Sequence, residues 1–283
     1  LLNEVMIKAT TKSSNQQIKD FYIANKAAST EEILSRLPEI NMVRRGSYGM
    51  EPLIRTYTTG QVNILIDGMR IHGACTDKMD PASIYVEPQN LQSIQVLTSN
   101  GTKAGSSIGG TMDLKLREPD CDCKKPLTGF ISSGYQSAAK AFYETGVLNF
   151  SKNKWSIRSN ITYRKSSDYK SGGGDVVLYS QYEKLNYGLS AKYQVNSISY
   201  LKTDILFDDG WNIGYPALPM DVGYAAARIG SISLLRNNIK SKWNNATYKI
   251  YANSIYHLMD DTHRPNVTMH MDMPGRSKVF GAY

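Results

Sequence analysis

The stretch "GACTDKMDP", residues 73–81, sets Cys75 four residues before Met79 in a chain with three cysteines and eleven methionines. Thiol and thioether are soft donors, so the pair can form half of a site for a soft metal ion. It can equally be two core side chains, since an unpaired cysteine is usually a small buried hydrophobe, or part of a redox device. If the stretch makes one helical turn, the two residues lie on one face, one above the other. His72 stands three residues before Cys75. It leaves open a blue-copper centre, which needs two histidines, a cysteine and a distant methionine. The other cysteines, Cys121 and Cys123 in "PDCDCKKP", are too close in sequence for an ordinary loop-closing disulfide. A strained disulfide, pairing with another protein, onward transfer of a metal and a plain linker all fit them. No Ser/His/Asp constellation or zinc-protease spacing appears. "SGGGD" (171–175) is followed by neither a Lys-Ser/Thr pair nor a helix, so it is not a nucleotide loop. The expectation is a protein that is not an enzyme.

The elements that must position these residues follow from composition and pattern. The chain has 283 residues and a net charge of +8. The basic residues are scattered rather than clustered, which argues against nucleic acid as a partner. No run of 18 apolar residues exists, so no transmembrane helix is expected. Nineteen tyrosines against six phenylalanines suit surfaces that are apolar at one end and wet at the other.

Residues 1–119 read as a mixed α/β unit. "EVMIKAT" alternates as a short strand. "STEEILSRLPEI" carries a Ser/Thr cap, then Glu, then apolar residues at helical spacing, so a helix is predicted from about residue 30. "QVNILIDGMRI" reads as strand–turn–strand with Asp67-Gly68 at the bend. "LQSIQVLTS" and "GGTMDLKLRE" are two further strands. After a linker at 120–126, residues 127–283 change character. "KWSIRSNITYR" places Trp155, Ile157, Ile161 and Tyr163 opposite Arg158, Asn160, Thr162 and Arg164. "NATYKIYANSIYHLMD" sends Tyr256 and Leu258 to one side and His257 and Met259 to the other. Period-two alternation over about ten residues, with tyrosines at the ends, is the pattern of a transmembrane β-barrel, although a soluble β-sandwich also alternates. Eight strands are predicted, roughly 127–136, 140–151, 154–166, 180–194, 197–208, 228–238, 242–259 and 276–283. Tight turns at 152–153, 195–196 and 239–241 face long loops at 167–179, 209–227 and 260–275. That asymmetry matches periplasmic turns and extracellular loops. Eight strands alone close into a barrel filled by its own side chains, too narrow for a 120-residue domain. More strands, from the same chain or another, are expected to complete the wall.

The segments "LNEVMIKATTK", "ILSRLPEINMVRRGSYGMEPLIR", "VNILIDGMRI", "LQSIQVLTS" and "AGSSIGGTMDLKLREP" resemble, in order and spacing, the plug domain of TonB-dependent outer-membrane receptors. The resemblance implies a membrane β-barrel of 22 strands with an N-terminal α/β plug inside it. Only about eight of those strands are in this chain. It also implies the outer membrane of a Gram-negative bacterium as location, with outer-membrane lipid and the inner-membrane TonB complex as partners. Four further pieces, "HGACTDKMDPASIYVEP", "YPALPMD", "YHLMDD" and "MHMDMPGRSKVFGA", look like the copper-receptor branch of the family, associated with copper uptake for nitrous-oxide reductase maturation. That branch carries a Cys-x-x-x-Met pair on the plug and a His-x-Met pair on the barrel, here Cys75, Met79, His257 and Met259. The implied cargo is copper, free or on a carrier, held between plug and barrel. Two thioethers, a thiolate and one imidazole favour Cu(I) and suit zinc poorly. The loop "DDTHRPNVTMHMDMPG" adds His263, Met269, His270, Met271 and Met273, either a relay that captures copper first or a loop that packs on its neighbours. Two alternatives stand beside copper import. One is a receptor for an organic ligand (siderophore, cobalamin or peptide). The other is a non-transporting structural subunit of an outer-membrane assembly.

Overall fold

The computed structural model describes residues 29–98, 107–120, 125–237, 245–265, 268 and 270–283. The expected N-terminal strand "EVMIKAT", Cys121, Cys123 and Met269 lie outside the described residues.

The first element of the described residues is α1 (Thr30–Leu34). The Ser29 hydroxyl accepts the Glu32 N–H at 3.3 Å, and the Glu32 carboxylate accepts the Ser29 N–H at 3.1 Å. This capping box satisfies two donors that a helix start otherwise leaves orphaned. It turns Ile33 and Leu34 into the core. β1 (Ile40–Arg44) and β2 (Met50–Ile54) form an antiparallel hairpin. β3 (Asn63–Ile66) and β4 (Met69–Arg70) are joined at Asp67-Gly68, with φ of 51° and 79°. Two left-handed residues are what a two-residue hairpin turn requires, hence the Asp-Gly sequence. With β5 (Leu91–Leu97) and β6 (Thr111–Leu116) they make a four-stranded sheet, order β4-β3-β6-β5, in which β3 and β6 run parallel. Short 3-10 turns at Ala82–Tyr85 and Pro88–Asn90 carry the chain back across the plug.

The rest is a wall of eight antiparallel strands in sequence order: β7 (Leu127–Gln136), β8 (Ala141–Lys152), β9 (Trp155–Ser166), β10 (Tyr182–Gln194), β11 (Ser199–Ile213), β12 (Asp221–Asn237), β13 (Asn245–Asp260) and β14 (Asp272–Ala282). Its polarity is inverted relative to a soluble protein. On β9, Ser156, Arg158, Asn160, Thr162 and Arg164 are buried while Trp155 and Ile161 are exposed; on β12 and β13, Ile232, Leu234, Tyr248 and Ile250 face outward. An apolar outer face with a polar lumen is the solution hydrocarbon imposes, and it disposes of the sandwich alternative. No helix among the described residues is long and apolar enough to cross a membrane.

Two expected loops shrink. Strand pairing of β11 with β12 continues from Ser199–Arg236 up to Ile213–Val222, so the loop predicted over 209–227 is only 214–220. The loop predicted over 260–275 is only 261–271, which puts Met273 on a strand. Gly214, Pro216 and Pro219 stand in the loop that remains, whereas Gly210 and Gly223 are taken up into the strands, and a bulge between Val222 and Tyr224 interrupts the β12–β13 register.

Charged side chains of the wall dock the plug. Arg164 holds the Glu87 carboxylate through Nε at 2.9 Å and Nη2 at 2.7 Å, and Lys184 reaches Glu87 at 3.0 Å and Asp208 at 3.2 Å. At the other end, Lys202 and Lys249 clasp Asp67 of the β3–β4 turn at 3.2 and 2.7 Å. Burial opposes ionisation of Glu87. Arg164 and Lys184 overcome it and hold the carboxyl at about 2.

Candidate metal centre

The plug leaves β4 through residues 71–81 and returns to regular structure only at Ala82. Within this stretch the Lys78 N–H meets the Cys75 carbonyl at 3.4 Å, and Lys78 has φ 55°. The left-handed residue breaks any helix, so Cys75 and Met79 sit in an irregular turn rather than the helical turn considered above. Both are buried, at 3% and 1% exposure. On β13, strand alternation turns His257 and Met259 into the lumen, where they are equally buried.

Plug and wall meet at these residues. Cys75 Sγ lies 3.8 Å from Met259 Sδ. Cys75, Asp80 and His257 each bring a ligand atom to within 4.8 Å of the others. His257 Nδ1 is 3.2 Å from Asp80 Oδ1. Met79 is buried in the same turn, and its carbonyl accepts a hydrogen bond from the Tyr215 hydroxyl. Cys75, Met79 and Met259 belong to one apolar cluster with Ile84, Val222 and Ile255. That setting excludes water and lowers the local dielectric around the donors.

Asp80 is the member that sequence reasoning missed. Its one signal in the sequence is its place in "KMDP", directly after Met79. Its Oδ2 lies 3.3 Å from the Tyr85 hydroxyl. Among the described residues, Asp80 Oδ1 and both ring nitrogens of His257 have no well-aligned hydrogen-bond partner. Buried polar atoms left this way cost about 1–3 kcal/mol each. The Nδ1–Oδ1 pair at 3.2 Å partly answers two of these atoms, which leaves Nε2 as the buried atom still in want of a partner.

A glycine permits the close approach. Gly275 on β14 pairs in register with His257, and Met273 pairs with Met259. A Cβ on Gly275 would stand 2.5 Å from the carbonyl oxygen of Ala74, the residue before Cys75. Above the turn, Arg264 closes the outer loops. It donates to Asp221 at 2.9 Å and to the Tyr215 carbonyl at 2.9 Å, with its guanidinium 3.7 Å from the Tyr179 ring centroid.

The outer residues are disposed differently. His263 and His270 are exposed. His270 Nδ1 is 3.1 Å from Asp261 Oδ1, and the Met271 N–H donates to Asp261 Oδ2 at 3.1 Å. Met271 and Met273 are exposed, Met273 as a strand residue of β14. His72 lines a small cavity of about 150 Å³ together with Cys75 and Asp80, yet it is not among the converging ligand atoms. One histidine converges with the cysteine, not the two of a blue-copper centre.

Residues 7–111 match the family model of the TonB-dependent receptor plug domain. No curated protein matches the chain. Among solved structures, it is similar to the copper transporter OprC, with 20% identity and a TM-score of 0.80 over 90% of this chain and 41% of that one. It is also similar to a hemophore receptor HasR of Serratia marcescens, solved with its hemophore HasA and heme, at 16% identity and TM-score 0.75 over 92% of this chain and 39% of that one. A third is a ferric enterobactin receptor of Pseudomonas aeruginosa, at 12% identity and TM-score 0.64 over 90% and 43%. The chain therefore spans about two fifths of these proteins. It carries the plug and part of the barrel of the TonB-dependent receptor fold. Receptors of this kind are transport proteins of the Gram-negative outer membrane, not enzymes.

Proposed function

We infer that this chain, with the plug-and-barrel fold of the TonB-dependent outer-membrane receptors, is part of a receptor that imports copper as Cu(I). In this reading residues 1–119 are the plug, 120–126 the linker and 127–283 the first part of the barrel. Cys75 and Met79 of the plug, with His257 and Met259 of the wall, hold the ion between them. The observation that carries the reading is the meeting of Cys75 Sγ and Met259 Sδ at 3.8 Å, beside His257, in a buried apolar setting. Thiolate, thioether and imidazole together select a soft monovalent ion over hard cations. Because ligands come from both plug and wall, the inner-membrane TonB complex, by displacing the plug, would separate the two pairs and release the ion inward. His263, Met269, His270, Met271 and Met273 are the proposed outer relay. Met273 faces Met259 across the β13–β14 ladder.

The test is Cu(I) loading of the purified full-length receptor, metal added alone, against Cys75→Ser and His257→Gln. Stoichiometric copper in the wild type and its loss in both variants is expected. Equal copper in all three would sink the assignment. A second reading, an organic ligand, is favoured by a cavity of about 630 Å³ lined by Tyr48, Tyr143, Tyr169, Tyr182 and Arg44. Retained uptake of an iron chelate by Cys75→Ser, with no copper bound by the wild type, would establish that reading instead.

A further inference from the structure

Asp80 lies in the middle of the copper site without being one of its soft donors. It and His257 are each about 1% exposed, and Oδ1 of the first is 3.2 Å from Nδ1 of the second. Its other oxygen is 3.3 Å from the Tyr85 hydroxyl, which also lies 3.2 Å from the Asp80 carbonyl. Tyr85 is itself fully buried in a 3-10 turn of the plug. The carboxylate is thus held from behind by the plug and directed at one nitrogen of a ring carried by the wall. A metal-binding histidine needs one nitrogen free of its proton and facing the ion, and its other N–H is usually fixed by a carboxylate.

We propose that Asp80 is the positioning residue of the copper site: it takes the Nδ1–H of His257, fixes the ring's tautomer and plane, and leaves Nε2 as the nitrogen presented to the ion. The inference rests on the copper reading for its purpose but not for its test. It gives plug and wall a second link within the site. Displacing the plug removes Cys75 and at the same moment releases the ring that holds the ion on the wall side. The carboxylate stays outside the coordination shell, where a hard oxygen would work against a soft ion.

The test uses the full-length receptor and its Asp80→Ala and Asp80→Asn variants. Nitrogen-15 NMR of histidine-labelled, metal-free protein reads the tautomer directly, with a His257→Gln sample to identify the His257 signals. At a pH high enough to keep the ring neutral, His257 is expected as the Nδ1–H form in the wild type and mixed or reversed in Asp80→Ala. Cu(I) affinity, by competition with a chromogenic chelator, is expected to fall about 10- to 100-fold. The sulfur and nitrogen scatterers seen by X-ray absorption should not change. Unaltered tautomer and affinity within twofold of wild type would overturn the proposal. So would loss of an oxygen scatterer from the copper shell, which would make Asp80 a ligand. If Asp80→Ala does not fold, Tyr85→Phe loosens the same carboxylate and should shift the tautomer the same way; no shift overturns the proposal. A wild type that binds no copper while Asp80→Ala still changes the tautomer refutes the copper reading and leaves the positioning role standing.

Discussion

Replacing Gly275 with alanine adds one methyl group on the wall, outside the donor set, and should empty the site. The new Cβ would start 2.5 Å from the Ala74 carbonyl oxygen, 3.3 Å from its carbon and 3.6 Å from its Cβ. Ordinary carbon–oxygen contact begins near 3.3 Å, so the two chains must part by about 0.8 Å. The obstacle is backbone, not the end of a flexible side chain. β14 is tied to β13 by a ladder from Ile250–Ala282 to Asp260–Asp272, whereas residues 71–80 of the plug have no ladder. The plug turn therefore moves, and Cys75 moves with it. Sites of this kind tolerate about 0.5 Å of misplacement, so a Cys75–Met259 separation opening from 3.8 Å to about 4.6 Å is beyond that tolerance. Cu(I) affinity should fall roughly 10- to 100-fold, about 1.4–2.8 kcal/mol. Overpacking should cost about 1–3 kcal/mol of stability without unfolding the receptor. Chelator competition measures the affinity, and the rate of maleimide labelling at Cys75 measures the loosened contact. Gly230→Ala is the control, because its Cβ would meet nothing closer than the Asp204 carbonyl oxygen at 3.8 Å. Wild-type affinity and labelling in Gly275→Ala would refute the idea that this glycine sets the plug–wall distance.

Three further outcomes follow from the same contacts. Met259→Leu conserves volume and removes one thioether; stability should change by less than about 1.5 kcal/mol while Cu(I) affinity falls at least about tenfold, and unchanged affinity would show Met259 to be core packing only. Glu87→Gln takes the carboxylate from between Arg164 and Lys184 and should cost about 3 kcal/mol, read as a lower midpoint of chemical unfolding. Its pH dependence has a definite sign. Because the folded-state value of about 2 lies below the ordinary 4.5, Glu87 contributes stability above the ordinary range and loses it as pH falls towards 2, so Glu87→Gln should flatten the acid side of the stability profile. Asp67→Asn weakens the clasp of Lys202 and Lys249 on the β3–β4 turn; hydrogen exchange of the Ile66 and Met69 amides should speed roughly tenfold, the effect of about 1.4 kcal/mol of local stability, with exchange in β12 unaffected.

Much of this molecule was legible as pattern. Alternation of "KWSIRSNITYR" and "NATYKIYANSIYHLMD" fixed which face meets lipid, because the side-chain period of a strand is two whatever its surroundings. Ser29 with Glu32, and Asp67 with Gly68, marked a helix start and a hairpin turn through purely local hydrogen bonding and backbone sterics. Loop limits were less legible. Pro216 and Pro219 do mark the turn, but Gly210 and Gly223 beside them are drawn into the strands by cross-strand pairing, so the loop is shorter than predicted. Spacing alone made the site legible as two separate pairs, each within one element; the expectation that they share one ion came from the resemblance to the copper-receptor branch. That Cys75 and Met259, 184 residues apart, share van der Waals contact depends on how the plug is seated. Seating is decided by Glu87 against Arg164 and Lys184, by Asp67 against Lys202 and Lys249, and by the missing Cβ of Gly275. Asp80 shows the limit most plainly. In sequence it is one acidic residue before a proline; only the packing of plug against wall directs its carboxylate at His257, because local rules fix the face a side chain takes and tertiary contact alone fixes what it meets there.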